Sequence, residues 1–200
     1  MILQAKTFDE LSKEELFAIL RARQDVFVVE QECAYHDIDD IDLSCVHVFA
    51  MEGEKLVACL RYFPMEEDPE VIRIGRVLTT VRHRGYGEEI MKYALKTIPE
   101  KRLYLEAQVY AIGFYEEFGF RVDSEPFDED GIPHVKMRLD RDQSRQRKNH
   151  TRNAETPANT RISAAAEEDV SCAAGKGAGE GDDEGSAVTE GAAASMPLVV

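Results

Sequence analysis

Tryptophan is absent from this 200-residue chain, cysteine occurs only four times, and basic residues are in deficit, with 24 Lys and Arg against 39 Asp and Glu. Each shortage excludes something. The formal net charge of −15 argues against a general binder of nucleic acid or of anionic membranes and permits cationic partners. No apolar run approaches the roughly 18 residues that a membrane span needs. The start, MILQAKTFDE, lacks a basic stretch followed by an apolar one, so no secretory signal is expected. Cys33, Cys45, Cys59 and Cys172 are scattered and read as reduced thiols, which makes the cytoplasm the expected compartment. No internal repeat of the solenoid kind is visible.

Aromatic residues stop before residue 141. Residues 141–200 contain no Phe, Tyr or Trp and are rich in Ala, Gly, Ser, Thr, Asp and Glu. Such a segment cannot bury enough apolar area to offset its ordering entropy, so it is expected to be a disordered low-complexity tail. Its first third is net basic and the rest net acidic. A solvated extension is the plain reading, and a tail partner would have no signature in the sequence. Residues 1–140 form the expected folded domain and are long enough to bury a core without staples.

Within that domain the periodicities are clear. Met1–Ala5 suits a short strand. Ser12-Lys-Glu-Glu15 has capping-box spacing, with Leu16, Ile19, Leu20 and Arg23 following at helical intervals. A second helix is expected through Val26–Gln31 and an acidic loop over residues 36–44. Val46, Val48 and Ala50 alternate as in a strand, which pairs with Leu56–Phe63 in a hairpin. Val71–Thr80 is a long strand interrupted by Gly75, a mark of a bulge or of close backbone approach. A helix follows over Gly85–Ile98, then a strand Arg102–Gln108. Ala111, Phe114, Tyr115 and Phe118 share one helical face that Gly119 closes. Strands at Phe120–Val122 and around Val135–Leu139 complete an α/β (α+β) chain, a single mixed sheet flanked by helices.

The passage from the long strand into the next helix carries the strongest local signal. Arg82-His83-Arg84-Gly85-Tyr86-Gly87 is a glycine-bearing turn at a helix N-terminus. Unpaired amides of a first helical turn point at an anion with the helix dipole behind them, and Arg82 and Arg84 add donors suited to phosphate. Alone, this spacing is also that of an ordinary tight turn. It is neither G-x-x-x-x-G-K-[ST] nor G-x-G-x-x-G, so neither of those nucleotide loops is indicated.

Arg82-x-x-Gly85-x-Gly87 after a long strand resembles the acetyl-CoA pyrophosphate loop of the GNAT family of N-acetyltransferases. Gly113-Phe-Tyr115-Glu-Glu-Phe-Gly119-Phe120 resembles that family's second landmark, at a matching separation. Val26-Phe-Val-Val-Glu30-Gln31, Tyr35 with Asp37 and Asp39, and Asp130-Gly-Ile-Pro-His134 are similar to the ElaA-like subgroup. The resemblance covers about residues 1–140 and none of the tail. It implies a mostly antiparallel GNAT-like acyl-CoA N-acyltransferase fold, with acetyl-CoA as co-substrate. Main-chain groups around Val77, Leu78 and Thr79 would pair with the pantetheine arm. Amides of His83, Arg84, Gly85, Tyr86, Gly87 and Glu88 would hold the pyrophosphate beside Arg82. The acceptor would be a primary amine, on a small molecule or a peptide, attacking the thioester directly. Glu88 and Glu89 depart from the family pattern: they favour the helix dipole, yet they repel a pyrophosphate.

The chemistry then needs an acid and a base. Tyr115 stays protonated at neutral pH and suits donation to a departing thiolate, the role the resemblance also gives it; by spacing alone it reads as a core tyrosine. An alkylammonium must lose a proton before it attacks. Glu30, His36, Asp37, His47, Glu106 and His134 are the candidate bases, with Glu106 and His134 taken forward. The acidic loop 36–42 could gather a cationic acceptor or could simply be solvated. Cys33-x-x-His36 followed by Cys45-x-His47 offers four N/S groups, but at spacings unlike a zinc site, and no metal is expected. A non-catalytic acyl-CoA-binding or protein-interaction module on the same fold is the alternative to an enzyme. Oligomeric state, a homodimer included, stays open.

Overall fold

The computed structural model describes residues 1–141; the tail expected beyond them lies outside the described residues. Eight strands form one sheet: β1 (Ile2–Thr7), β2 (Val46–Glu52), β3 (Lys55–Pro64), β4 (Val71–Thr79), β5 (Arg102–Gln108), β6 (Arg121–Val122), β7 (Phe127–Glu129) and β8 (Ile132–Asp140). Their order is β1-β2-β3-β4-β5-β8-β6, with β7 paired to β8 beside β6. Every pairing is antiparallel except β4 with β5. The sheet is thus mixed and mostly antiparallel, as expected. β7 had no signal of its own: FDE is too short and acidic to read as a strand, and it forms because the Asp130-Gly131 turn folds it back onto β8.

Helices cover both faces. α1 (Lys13–Arg23) starts at the expected capping box, where Glu15 N donates to Ser12 Oγ at 3.1 Å and Ser12 N to Glu15 Oε2 at 2.9 Å. It buries Ile19 and Ala22 against Phe49, Cys59 and Leu78 on one side of the sheet. The expected second helix is a continuation of α1 rather than a separate element. Gln24–Glu30 winds as a π-helical turn, and Val26 and Phe27 face inward. Such widened turns are rare and are enriched at functional sites.

α2 (Tyr86–Thr97) packs on the opposite face. Its Ile90, Met91 and Ala94, with Ile98 just beyond, are fully buried among β2–β5 and β8 residues such as Leu60, Ile74, Leu103 and Met137. Each large apolar side chain buried this way contributes roughly 1.5–3 kcal/mol. The carbonyls at the C-terminal end of α2 are met by Arg141, whose guanidinium donates to Ile98 O at 2.8 Å and Leu95 O at 2.7 Å. Composition placed Arg141 at the head of the tail; in the fold it is bound to the domain. α3 (Ile112–Glu117) follows a 3-10 turn at Val109–Ala111 and presents Tyr115 to the core.

Candidate active site

The site forms where β4 and β5 part. Their parallel pairing is confined to Val71–Arg73 opposite Arg102–Tyr104, after which each strand keeps only its outer partner. At that level β4 also bulges. Gly75 pairs with Arg61 and Leu78 with Cys59, so Arg76 and Val77 together face the single residue Leu60. The interruption read at Gly75 is therefore a β-bulge whose first residue is Arg76, held at φ +54°. A bulge of this kind bends its strand and turns main-chain groups out of the ladder.

A cavity of about 130 Å³ opens in the gap. Gly75, Arg76 and Val77 line it from β4, Glu106 and Gln108 from β5, Tyr115 from α3, His134 from β8, and Phe27 and Gln31 from the π-turn. The three expected chemical residues, Tyr115, Glu106 and His134, thus meet in one place. Tyr115 is buried, with its ring edge-on to Phe114 and Phe120, and burial pushes its phenol well above the usual range, so it stays protonated.

His134 stacks on Phe127, and its Nδ1 lies 2.8 Å from Ile132 O. A carbonyl can only accept, so Nδ1 carries the proton and Nε2 of the neutral ring keeps its lone pair. Glu106 is more heavily engaged. Tyr104 donates to its Oε1 at 2.6 Å, and Arg73 forms an ion pair with its Oε2. The remaining candidate bases are elsewhere. Glu30 pairs with Arg82, His36 is exposed, and Asp37 and His47 are buried in another cluster.

That cluster corrects the reading of the acidic loop. Asp37, Asp39 and Asp42 do not wait for a cationic acceptor. Arg23 from α1 binds Asp37 at 2.8 Å and Asp42 at 2.5 Å; Arg61 from β3 binds Asp39 at 2.6 Å and Asp42 at 2.8 Å; Arg76 binds Asp37 at 2.7 Å. Burial alone would raise the Asp39 and Asp42 carboxyls, but the guanidiniums prevail and hold both below the usual range. Local sequence showed only the acids; the arginines arrive from three other elements.

The metal-like spacing also separates. Cys33 lines the cavity with Sγ 3.8 Å from Asp130 O, while Cys45 and His47 lie buried beside Asp42. Asp42, Cys45 and His47 come within 4.8 Å of one another. Two guanidiniums already bind the Asp42 carboxylate, and burial pushes the Cys45 thiol up to about 12.

The glycine loop lies at the other end of β4. Residues 81–85 are exposed, and Gly85 is the N-cap of α2 at φ +74°. Having no side chain, it leaves the first-turn amides uncapped, and it gives the left-handed turn that brings them round. Arg82 reaches back to Glu30, tying the loop to the π-turn. Tyr86 is held by Glu52, to which its hydroxyl donates at 2.8 Å. Glu88 forms an ion pair with Lys92, one turn further along α2, which draws its charge away from the helix end. The departure at position 88 is thereby partly neutralised. A bulged, diverging strand running into uncapped helix amides fits an extended thioester cofactor with a pyrophosphate at one end. Of the expected cofactor residues, Val77 alone touches the cavity; Arg82, His83, Arg84 and Gly85 sit at the loop.

Sequence reasoning missed Arg73, Arg76 and Tyr104, and it quoted Gln31 only as part of a family motif. Each is positioned by long-range pairing, as when Gln31 Nε2 donates to Gln108 Oε1 at 3.3 Å across the gap. Among the described residues no helix is long and apolar enough to cross a membrane.

Known proteins resemble this chain in sequence and fold. The family model described as an acetyltransferase (GNAT) domain matches residues 8–141. Protein ElaA of Escherichia coli is 41% identical over 136 residues, covering 64% of this chain and 89% of ElaA. A UPF0039 protein of Schizosaccharomyces pombe is 43% identical over 143 residues, 68% of this chain and 94% of its own length. The crystal structure of E. coli ElaA superposes with a TM-score of 0.65 at 37% identity, covering 70% of this chain and 99% of that one. An acyl-CoA N-acyltransferase from Pseudomonas aeruginosa does so with a TM-score of 0.64 at 34% identity, with the same two coverages.

Proposed function

Since the chain belongs to the GNAT acetyltransferase family and is ElaA-like, we propose that it transfers an acetyl group from acetyl-CoA to a primary amine by direct attack in a ternary complex. The observation that carries this reading is the parting of β4 and β5, with Tyr115 and His134 in the gap. Main-chain groups of Val77, Leu78 and Thr79 would hold the pantetheine arm. The amides of residues 83–88 would hold the pyrophosphate, with Arg82 and Arg84 beside them. The bound thioester supplies an activated acyl carbon.

In this mechanism Nε2 of His134 takes a proton from the incoming ammonium. The amine nitrogen bonds to the carbonyl carbon, the C–S bond breaks, and the sulfur leaves with its electron pair. Tyr115 donates its phenolic proton to that thiolate, a role worth about 10²–10⁴ in rate, and the second proton, shed by the newly acylated nitrogen, restores the phenol. Glu106, with both oxygens engaged by Arg73 and Tyr104, keeps a fixed carboxylate that orients the ammonium. His134 is the better proton acceptor of the two because its lone pair is unspent. The sheet and loop would serve a non-catalytic acyl-CoA binder equally well, so turnover separates the two readings.

Release of free CoA from acetyl-CoA in the presence of a primary amine, with calorimetric titration of the full chain alongside, tests the proposal, and binding without release favours the non-catalytic reading. Micromolar binding that weakens when Arg82 and Arg84 are replaced by Ala supports it. An absence of binding at millimolar acetyl-CoA sinks it.

A further inference from the structure

We infer that Arg76 is a positioning residue, whose side chain holds the β4 bulge in the shape that receives acyl-CoA; this rests on the acyltransferase reading above. The backbone poses the question. Arg76 is the first residue of the bulge and sits at φ +54°, where an L side chain is disfavoured and glycine is usual. Gly75 is next to it, and its φ is not positive. The chain therefore places an arginine where the backbone favours glycine, and the side chain must compensate.

It does so through contacts to segments far away in sequence. The guanidinium pairs with Asp37 Oδ1 at 2.7 Å and donates from Nη2 to Asp37 O at 3.3 Å. Asp37 is itself immobilised: its side chain is 1% exposed, bound by Arg23 Nε and by the Tyr35 hydroxyl at 3.0 Å. The rings of Phe27 and Tyr35 lie 5.9 and 5.5 Å from the guanidinium carbon, within reach of cation–π attraction. Arg76 thus fastens the bulge to the π-turn, to the 31–39 loop and, through Asp37, to α1. Phe27 and Tyr35 line the same cavity as Gly75 and Val77, so this side chain joins two of the segments that form its wall. Val77 follows Arg76 directly, which places the main chain assigned to the pantetheine arm one residue from this anchor.

Three variants of the full chain decide the matter. Arg76→Gly permits the left-handed backbone but removes the anchor. Arg76→Ala removes the anchor and leaves the backbone as strained as in the wild type. Arg76→Lys keeps the charge on Asp37 but loses the planar stack. Amide hydrogen exchange without cofactor and acetyl-CoA affinity are measured for each. We expect Arg76→Gly to speed exchange at residues 77–79 at least tenfold and to weaken acetyl-CoA binding at least tenfold, with Arg76→Lys intermediate and β2 exchange unchanged. Should Arg76→Ala fail to fold, Arg76→Gly carries the comparison. A glycine variant matching wild type in either readout overturns the inference, because backbone conformation alone would then suffice. The exchange readout needs no cofactor. If the wild type binds no acetyl-CoA, the proposed function fails by itself, while exchange still reports whether Arg76 anchors the bulge.

Discussion

Arg73 and Tyr104 are the last register pair of the parallel strands β4 and β5, and both turn their side chains to Glu106 at the point where the strands part. The mouth of the cavity is therefore braced by charge. Tyr104 is buried, and burial together with Glu106 pushes its phenol above the usual range, so it remains a donor. This relationship fixes one wall of the site before any substrate arrives.

Tyr115→Phe removes one hydroxyl from a buried ring and leaves the packing intact. The acetyl-transfer rate should fall by about 10²–10⁴, with acetyl-CoA affinity within about twofold of wild type. Steady-state release of free CoA, with calorimetry alongside, measures both. An unchanged rate would remove Tyr115 from the chemistry.

His134→Ala should slow transfer strongly at neutral pH and recover as pH rises. An alkylamine with pKa about 10.4 gains roughly a hundredfold in its unprotonated fraction between pH 7 and pH 9. Free base from solution then substitutes for the missing imidazole. A pH–rate profile of the variant parallel to that of the wild type would shift the base to Glu106.

Gly85→Ala meets no neighbouring atom within 4 Å, so its effect is conformational alone. Holding an alanine at φ +74° costs about 1–2 kcal/mol. The variant is expected to lose that much stability in urea unfolding and to bind acetyl-CoA more weakly, because the uncapped amides of α2 are aimed by this turn. Wild-type affinity together with the stability loss would separate the turn from cofactor binding.

The buried arginine–aspartate cluster makes stability pH-dependent. Asp39 and Asp42 have folded pKa values below their ordinary 3.8, so their contribution is complete above that value and is lost as pH falls through the folded values. His47 is depressed below 6.5, chiefly by burial: the unfolded chain takes up a proton there before the folded one does. Stability should therefore begin to fall below about 6.5 and fall again below about 3.8. His47→Gln, which keeps a donor for Asp42 O, should flatten the first phase in unfolding titrations at pH 7.5 and 5.5. Arg23→Ala, which strands Asp37 and Asp42 in the interior, should cost about 3–5 kcal/mol at pH 7.

Patterns of short range were legible from residues alone. The capping box at Ser12–Glu15, the apolar face of α2, the alternation in β2 and β8, the bulge signalled by Gly75 and the turn at Gly85 each depend on neighbours within a few positions. Backbone sterics and periodic burial act at that range, and the two glycine-marked landmarks, 82–87 and 113–120, carried the family resemblance. Other features depend on contacts that no local spacing encodes. Arg23, Arg61 and Arg76 come from three elements to neutralise an acidic loop that looked open to solvent. Cys33–His36 and Cys45–His47 are 15 residues of suggestive chemistry that the fold sends to different places. Spacing made Glu106 a plausible base and His134 more often a surface residue; in the fold Arg73 and Tyr104 engage Glu106, and a backbone carbonyl sets the tautomer of His134. Local sequence decides where the chain turns and which face is apolar, because those are short-range energies. Which charges meet, and so which remain available for chemistry, is decided only when the sheet closes and burial makes every unpaired charge costly.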